Sequence, residues 1–207
     1  MPVNPSPYIP HMLIETETTP NPASLKFLPG RAVMDSGGTR EFATPEAAEA
    51  SPLAQALFDT GEVTGVFFGA DFITVTAAPG ADWRDLKPDV LGVLLDHFVS
   101  EAPLFAPASA AGITVPSGDS DETLLVESDP ADADIVAQIN ELLETRVRPA
   151  VAGDGGDIRY RGYRDGVVYL AMQGACSGCP SSTATLKHGI EGLLKYYVPE
   201  VTEVRAA

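Results

Sequence analysis

Residues 106–128 constrain the fold more than any other stretch of the chain. They are rich in Ala, Ser, Pro and Gly, and they carry Asp119, Asp121, Glu122 and Glu127 without one basic side chain. Such a segment has too little apolar surface to offset the entropy of ordering it, so a flexible acidic linker is expected. The apolar runs at 113–115 and 124–126 are too short to overturn that. A chain of 207 residues cut there leaves two blocks, each long enough to bury its own core. The expected division is a disordered, proline-rich tail at 1–12, a first domain at 13–104, a linker at 105–128 and a second domain at 129–207.

In the first block, residues 13–18, 25–28 and 31–34 read as strands, with Pro29-Gly30 as a tight turn between the last two. Thr44 before Pro45 is a helix start, since its hydroxyl can cap the first amides and proline fits the first turn. Ser51-Pro52 opens a second helical piece running through Phe58. Residues 63–68 and 72–76 form a hairpin about Gly69-Ala70-Asp71. Leu86, Val90, Val93, Leu94 and Phe98 line one face of a helix at 82–99, in which Pro88 either makes a kink or marks the true start. Trp83 reads as a packing residue. With the two short helical pieces counted as one, the order is β-β-β-α-β-β-α, an α+β domain.

The second block is also α+β, in the order α-β-β-α-β. Ile135, Ile139, Leu142, Leu143 and Val147 make an apolar stripe on a helix that Pro149 is expected to stop. Residues 153–157 are a glycine-rich loop that lacks a Lys-Ser/Thr pair and a preceding strand, so a turn packed near the cysteines is expected and not a phosphate site. Strands at 158–163 and 167–172 follow, the first alternating Ile158 and Tyr160 with Arg159 and Arg161. Leu186, Ile190, Leu193, Leu194 and Tyr197 share a face of a helix at 182–197, and 201–205 can add a strand. Of Tyr196 and Tyr197, one ring is expected on the core and the other toward solvent or a partner.

Charge excludes some partners. The formal net charge is −16, and it is uneven: residues 129–207 hold 11 acidic and 8 basic side chains, the rest of the chain 18 and 5. A chain this acidic repels phosphate backbones and anionic lipid, so neither nucleic acid nor membrane is an expected partner. Solubility is the plainer use of that charge. The first twelve residues have four prolines and no Lys or Arg, unlike a secretory or transit signal, so a cytoplasmic setting is expected, with a trimmed organellar form as the alternative.

The chain has two cysteines, Cys176 and Cys179, three positions apart, which argues against a disulfide scaffold. They fall between the apolar strand and the last helix, in a Gly-Ala-Cys-Ser-Gly-Cys-Pro loop. Loop and helix-terminal amides there are expected to favour thiolate over thiol, and the small neighbours leave room for a bulky inorganic group or a second protein surface. Four readings compete: inert buried cysteines, a thioredoxin-type dithiol, half of a zinc site and half of an iron–sulfur site. The last two need four ligands where one chain offers two thiolates. His11, His97 and His188 show no ligand spacing, and His188 reads as a surface or packing residue. A two-fold axis resolves the count, because two pairs make four thiolates. No Ser-His-Asp, paired-carboxylate or nucleotide motif gives grounds for an enzyme.

Three motifs carry a resemblance. Asp154-Gly155-Gly156-Asp157-Ile158, the run from Gly174 through Cys176 and Cys179 to Ser182, and Thr185-Leu186-Lys187-His188-Gly189-Ile190-Glu191 resemble the C-terminal domain of the NifU family. The run from Thr19 to Gly30, with Ser51-Pro52-Leu53-Ala54, Val66-Phe67-Phe68-Gly69 and the stretch Asp71 to Val75, is similar to the N-terminal domain of Nfu-type scaffold proteins. The resemblance implies a carrier that receives a [4Fe–4S] cluster between two subunits and passes it to apo-enzymes, with Cys176 and Cys179 as its ligands. It further implies cluster donors and clients as partners, a homodimer on loading and an N-terminal domain used for docking. That domain has no cysteine for ligation. Whether [2Fe–2S] forms are occupied on the way stays open. The rivals are a thiol–disulfide oxidoreductase with Cys176 as nucleophile and a zinc-bridged structural dimer.

Overall fold

The computed structural model describes residues 13–34, 38–106, 129–177 and 180–206. The expected tail, nearly all of the expected linker, His11 and Cys179 lie outside those residues. The chain forms two α+β units, each a sheet with helices packed against it.

The first sheet has five strands, β1 (Glu15–Thr18), β2 (Ser24–Leu28), β3 (Arg40–Phe42), β4 (Val63–Phe68) and β5 (Ile73–Ala77). They lie antiparallel in the order β1-β2-β5-β4-β3. Helices α1 (Pro45–Ala48) and α2 (Pro52–Phe58) start as the sequence predicts. Thr44 and Ser51 each accept an amide hydrogen bond from three residues on, and proline fills the first turn. Helix α3 (Trp83–Ser100) is capped by Asp82, whose carboxylate takes the Arg84 amide, so Pro88 lies inside the helix and does not mark its start. Leu86, Val90, Leu94 and Phe98 turn inward onto Phe27, Phe42, Phe68 and Ile73. Each large apolar side chain removed from water here contributes about 1.5–3 kcal/mol. Phe105, expected within the linker, packs edge-on against Phe68.

The third strand is a correction. It was expected at 31–34, yet the amides of Val33 and Met34 both reach the Ala70 carbonyl in the β4–β5 turn and join no ladder. The strand falls at Arg40–Phe42, where Phe42 is wholly buried and pairs with Val66.

The second sheet has three strands, β6 (Gly156–Arg164), β7 (Val167–Gly174) and β8 (Glu203–Ala206), with β6 antiparallel and β8 parallel to β7. Before it runs a long helical stretch, and here too the expectation fails. Pro149 does not stop the helix. Helix α4 (Ala133–Leu142) passes through a π turn (Leu143–Val147) into α5 (Arg148–Gly153). Proline has no amide for the carbonyl four residues back and its ring crowds it. The chain widens instead, and the Arg148 amide bonds the Leu143 carbonyl five residues back. Helix α6 (Pro180–Tyr197) lays Ile190 and Leu194 on this core with Ile139, Leu143, Val147, Val151, Val168 and Leu170.

A register shift between Tyr160 and Gly162 in β6 changes which residues face inward, so Tyr163 joins the core beyond the bulge. Neither terminal tyrosine covers that core: Tyr196 is exposed, and Tyr197 is nearly half exposed with the Arg146 guanidinium over its ring. No helix among the described residues is long and apolar enough to cross a membrane.

Candidate metal centre

Strand β7 delivers the first cysteine. At its end Gly174 adopts φ +65°, a conformation that L side chains avoid, and the chain folds back. The Ser177 amide and hydroxyl both donate to the Gly174 carbonyl, at 3.0 and 2.8 Å, closing a tight turn around Ala175 and Cys176. The Thr183 hydroxyl, in the first part of α6, donates to the Cys176 carbonyl at 3.0 Å. Cys176 is therefore held from both sides by backbone geometry.

The glycine loop expected beside the cysteines lies against Cys176; Cys179 is outside the described residues. The Ala175 amide donates to the Gly155 carbonyl at 3.1 Å. Gly156 faces the thiol so closely that a Cβ on it would lie 2.6 Å from the Cys176 sulfur and 2.6 Å from the Gln173 carbonyl oxygen. Only hydrogen fits there.

Asp157 anchors that loop. Its carboxylate is buried and takes Arg148 in a bidentate pair, Nε to Oδ1 at 2.8 Å and Nη2 to Oδ2 at 2.9 Å. The Ile158 amide and the Thr39 hydroxyl also donate to it, each at 2.8 Å. Arg148 in turn gives Nη1 to Glu144 at 2.7 Å. The hydrogen bond to Asp157 holds the Arg148 guanidinium above its already high ordinary pKa, against the effect of partial burial. Thus α5 is pinned to the start of β6, one residue from the contact with the sulfur.

Cys176 itself is 6% exposed and belongs to the second core. Burial pushes its thiol up to about 12, and the carboxylates of Asp154, Asp157 and Glu41 add to the shift. The expected thiolate-favouring effect of local amides is outweighed in this conformation. Beside the cysteine runs a groove of about 550 Å³, walled by Val147 and Val151 on one side and Leu186, Gly189 and Ile190 on the other, with Pro20 at its edge. Among the described residues no three His, Cys, Asp or Glu side chains gather into a metal site. His188 is exposed on α6, as expected, and His97 sits half-buried on α3 against Phe98 in the other unit.

Two families of sequence match this architecture. A family model described as "Scaffold protein Nfu/NifU N terminal" matches residues 14–101, and one described as "NifU-like domain" matches residues 139–205. The "NFU1 iron-sulfur cluster scaffold homolog, mitochondrial" of Homo sapiens is 47% identical over 195 residues, 94% of this chain and 71% of that protein. The chain belongs to the Nfu/NifU scaffold family. The homologue of the same name in Drosophila sechellia is 48% identical over 193 residues, 93% of this chain. The chain spans about 64% of that relative's length. A solution structure of a NifU-like protein from Saccharomyces cerevisiae aligns at TM-score 0.40 and 24% identity, over 46% of this chain and 85% of that one.

Several contacts to this Nfu/NifU centre carried no signal in the sequence. Glu41 accepts the Gly174 amide at 3.0 Å and the Ser177 hydroxyl at 3.2 Å, and Asn21 Nδ2 donates to the Ser177 carbonyl at 3.4 Å. Both come from the N-terminal unit, more than 130 positions away, and no local pattern marks such a contact. The Arg148–Asp157 pair is nearer in sequence, yet the expected helix stop at Pro149 hid it.

Proposed function

We propose that this chain is an iron–sulfur cluster carrier that holds a [4Fe–4S] cluster between two copies of itself and hands it to apo-proteins. Cys176 and Cys179 of each copy supply the four thiolates, and the cluster is cargo. The observation that carries the reading is a single Cys-x-x-Cys at the strand–helix turn of a NifU-like domain, in a chain with no further cysteine. Relatives named as iron–sulfur cluster scaffolds support it. Two thiolates per copy cannot complete a site that needs four, so the second copy is part of the chemistry. Cluster donors and apo-protein clients are the partners this role requires. The relatives are mitochondrial by name, which favours the organellar alternative over the cytoplasmic one.

The dithiol oxidoreductase is the rival reading. The cysteines follow β7 and precede α6, and β8 lies parallel to β7, so the turn sits in a β-α-β crossover that such chemistry also uses. Relatives named as cluster scaffolds weigh against it, and mixed-disulfide trapping separates the two.

Anaerobic reconstitution tests the proposal. About four irons and four sulfides per dimer are expected, with an apo chain that sediments as a monomer. Cys176→Ser or Cys179→Ser should abolish the stable cluster, because the two-fold axis turns each change into the loss of two ligands and an alkoxide is a poor substitute on iron. Tight zinc without iron uptake, or a Cys179→Ser chain that traps mixed disulfides, would overturn it.

A further inference from the structure

The turn that bears Cys176 is held by both units of the chain. Glu41 and Asn21 occupy the polar groups of Gly174 and Ser177, and Pro20 closes one edge of the groove beside the thiol. Beneath the turn, the Thr74 hydroxyl donates to the Gly155 carbonyl at 2.7 Å, and Thr74 is 1% exposed. Phe67 lies against Gly174, where an added Cβ would come within 2.9 Å of its ring. Lys26 Nζ donates to the Gly153 carbonyl at 3.1 Å, and Arg159 Nη2 to the Thr39 carbonyl at 3.1 Å. One face of the N-terminal sheet thus lies over both loops of the candidate centre.

A cluster shared across a two-fold axis requires each copy to present the same turn to the other. The turn cannot face a second copy while Glu41, Asn21 and Pro20 face it. We propose that the N-terminal sheet is a built-in cover that competes with the second subunit for the cysteine turn, so that the bridged dimer forms only when the seam between the two units opens. This rests on the reading of Cys176 as a ligand of a shared cluster.

The composition of the seam suits opening. Domain interfaces that separate are more polar than cores, and this one is knit largely by hydrogen bonds to loop carbonyls and amides. Water can replace each of those partners, so exposing Thr74, Asn21 or Glu41 strands no polar group. Lys26 regains solvent for an ammonium now almost wholly covered. Opening also uncovers Phe67, with the Phe72 ring 6.0 Å from it; both are buried and belong to neither core.

The test uses the full-length chain carrying Cys179→Ser, so that Cys176 is its single thiol, and reads the iodoacetamide alkylation rate of the apo protein. Thr74→Glu sets a carboxylate against the Gly155 carbonyl and should open the seam. Its negative charge disfavours thiolate, so faster reaction reports uncovering and not activation. Glu41→Ala removes two seam bonds, whereas Glu41→Gln keeps an acceptor and removes only the charge, which by itself relieves part of the upward push on the thiol. Expected are rates at least tenfold above the parent for Thr74→Glu and Glu41→Ala, with Glu41→Gln well below Glu41→Ala. Fluorescence of Trp83 confirms that the N-terminal unit remains folded in each variant. In the Cys179-intact background, Thr74→Glu should reach the same iron content per dimer sooner than the parent. A parent rate matching the variants, or Glu41→Gln matching Glu41→Ala, overturns the cover. Fast alkylation of the open variants with no iron uptake by any chain leaves the cover standing and overturns the cluster reading instead.

Discussion

At the scale of single residues, the candidate centre depends on what is missing as much as on what is present. Gly156 has no side chain, and the Cys176 sulfur occupies the space one would need. Gly156→Ala must move either the sulfur or the Gln173 carbonyl, which belongs to the central strand β7. Forced overpacking of this kind costs about 1–3 kcal/mol. The expected outcome is a C-terminal unit destabilised by that amount in urea while Trp83, the single tryptophan, reports an N-terminal unit unchanged. Equal stability of the two chains would show that the turn can relax. The importance of the two cysteines was legible from their type and spacing alone. The upward push on the Cys176 thiol was not, because burial in the second core drives it first, with Asp154 and Asp157 from one loop and Glu41 from the other unit adding to it.

At the scale of elements, patterns with a strong period were legible and exceptions to the period were not. The stripe on α3 and the β4–β5 hairpin fall where apolar spacing and turn glycine put them. Strand β3 is three residues long, too short for any alternation to show, while the apolar run at 31–34 mimics a strand and instead bonds to a turn. The π turn is invisible for a related reason: Pro149 signals an end, and only the core demand of Val147 and Val151 on either side shows that the chain continues inward. That turn also aims Arg148 at Asp157, and the pair joins helix to strand. Arg148→Ala leaves a buried carboxylate with half its partners gone, at a cost of about 3 kcal/mol. Hydrogen exchange of the β6 amides should quicken accordingly. Arg148→Lys should recover only part of the loss, since a single ammonium cannot make both bonds.

At the scale of the whole molecule, two α+β units were legible from the break between them, and their contact was not. A seam made of Asn21, Thr39, Glu41 and Thr74 on one side and backbone loops on the other has no periodicity to betray it. Its charge distribution gives it an unusual response. The 128 residues before the second unit carry 18 acidic side chains against 5 basic, and the second unit is itself net negative, so the two halves repel at long range. The bonds named in the seam, in contrast, each have a neutral group on at least one side and act only at contact. Dissolved salt weakens the first force and hardly touches the second, with a screening length of about 10 Å at 0.1 M. Most assemblies held by charge loosen in brine. This chain should tighten, its scattering radius shrinking and its Cys176 alkylation slowing as sodium chloride rises from about 0.01 to 0.3 M. The ionic strength around the protein then acts as a spring on the seam, setting how often the cysteine turn stands uncovered.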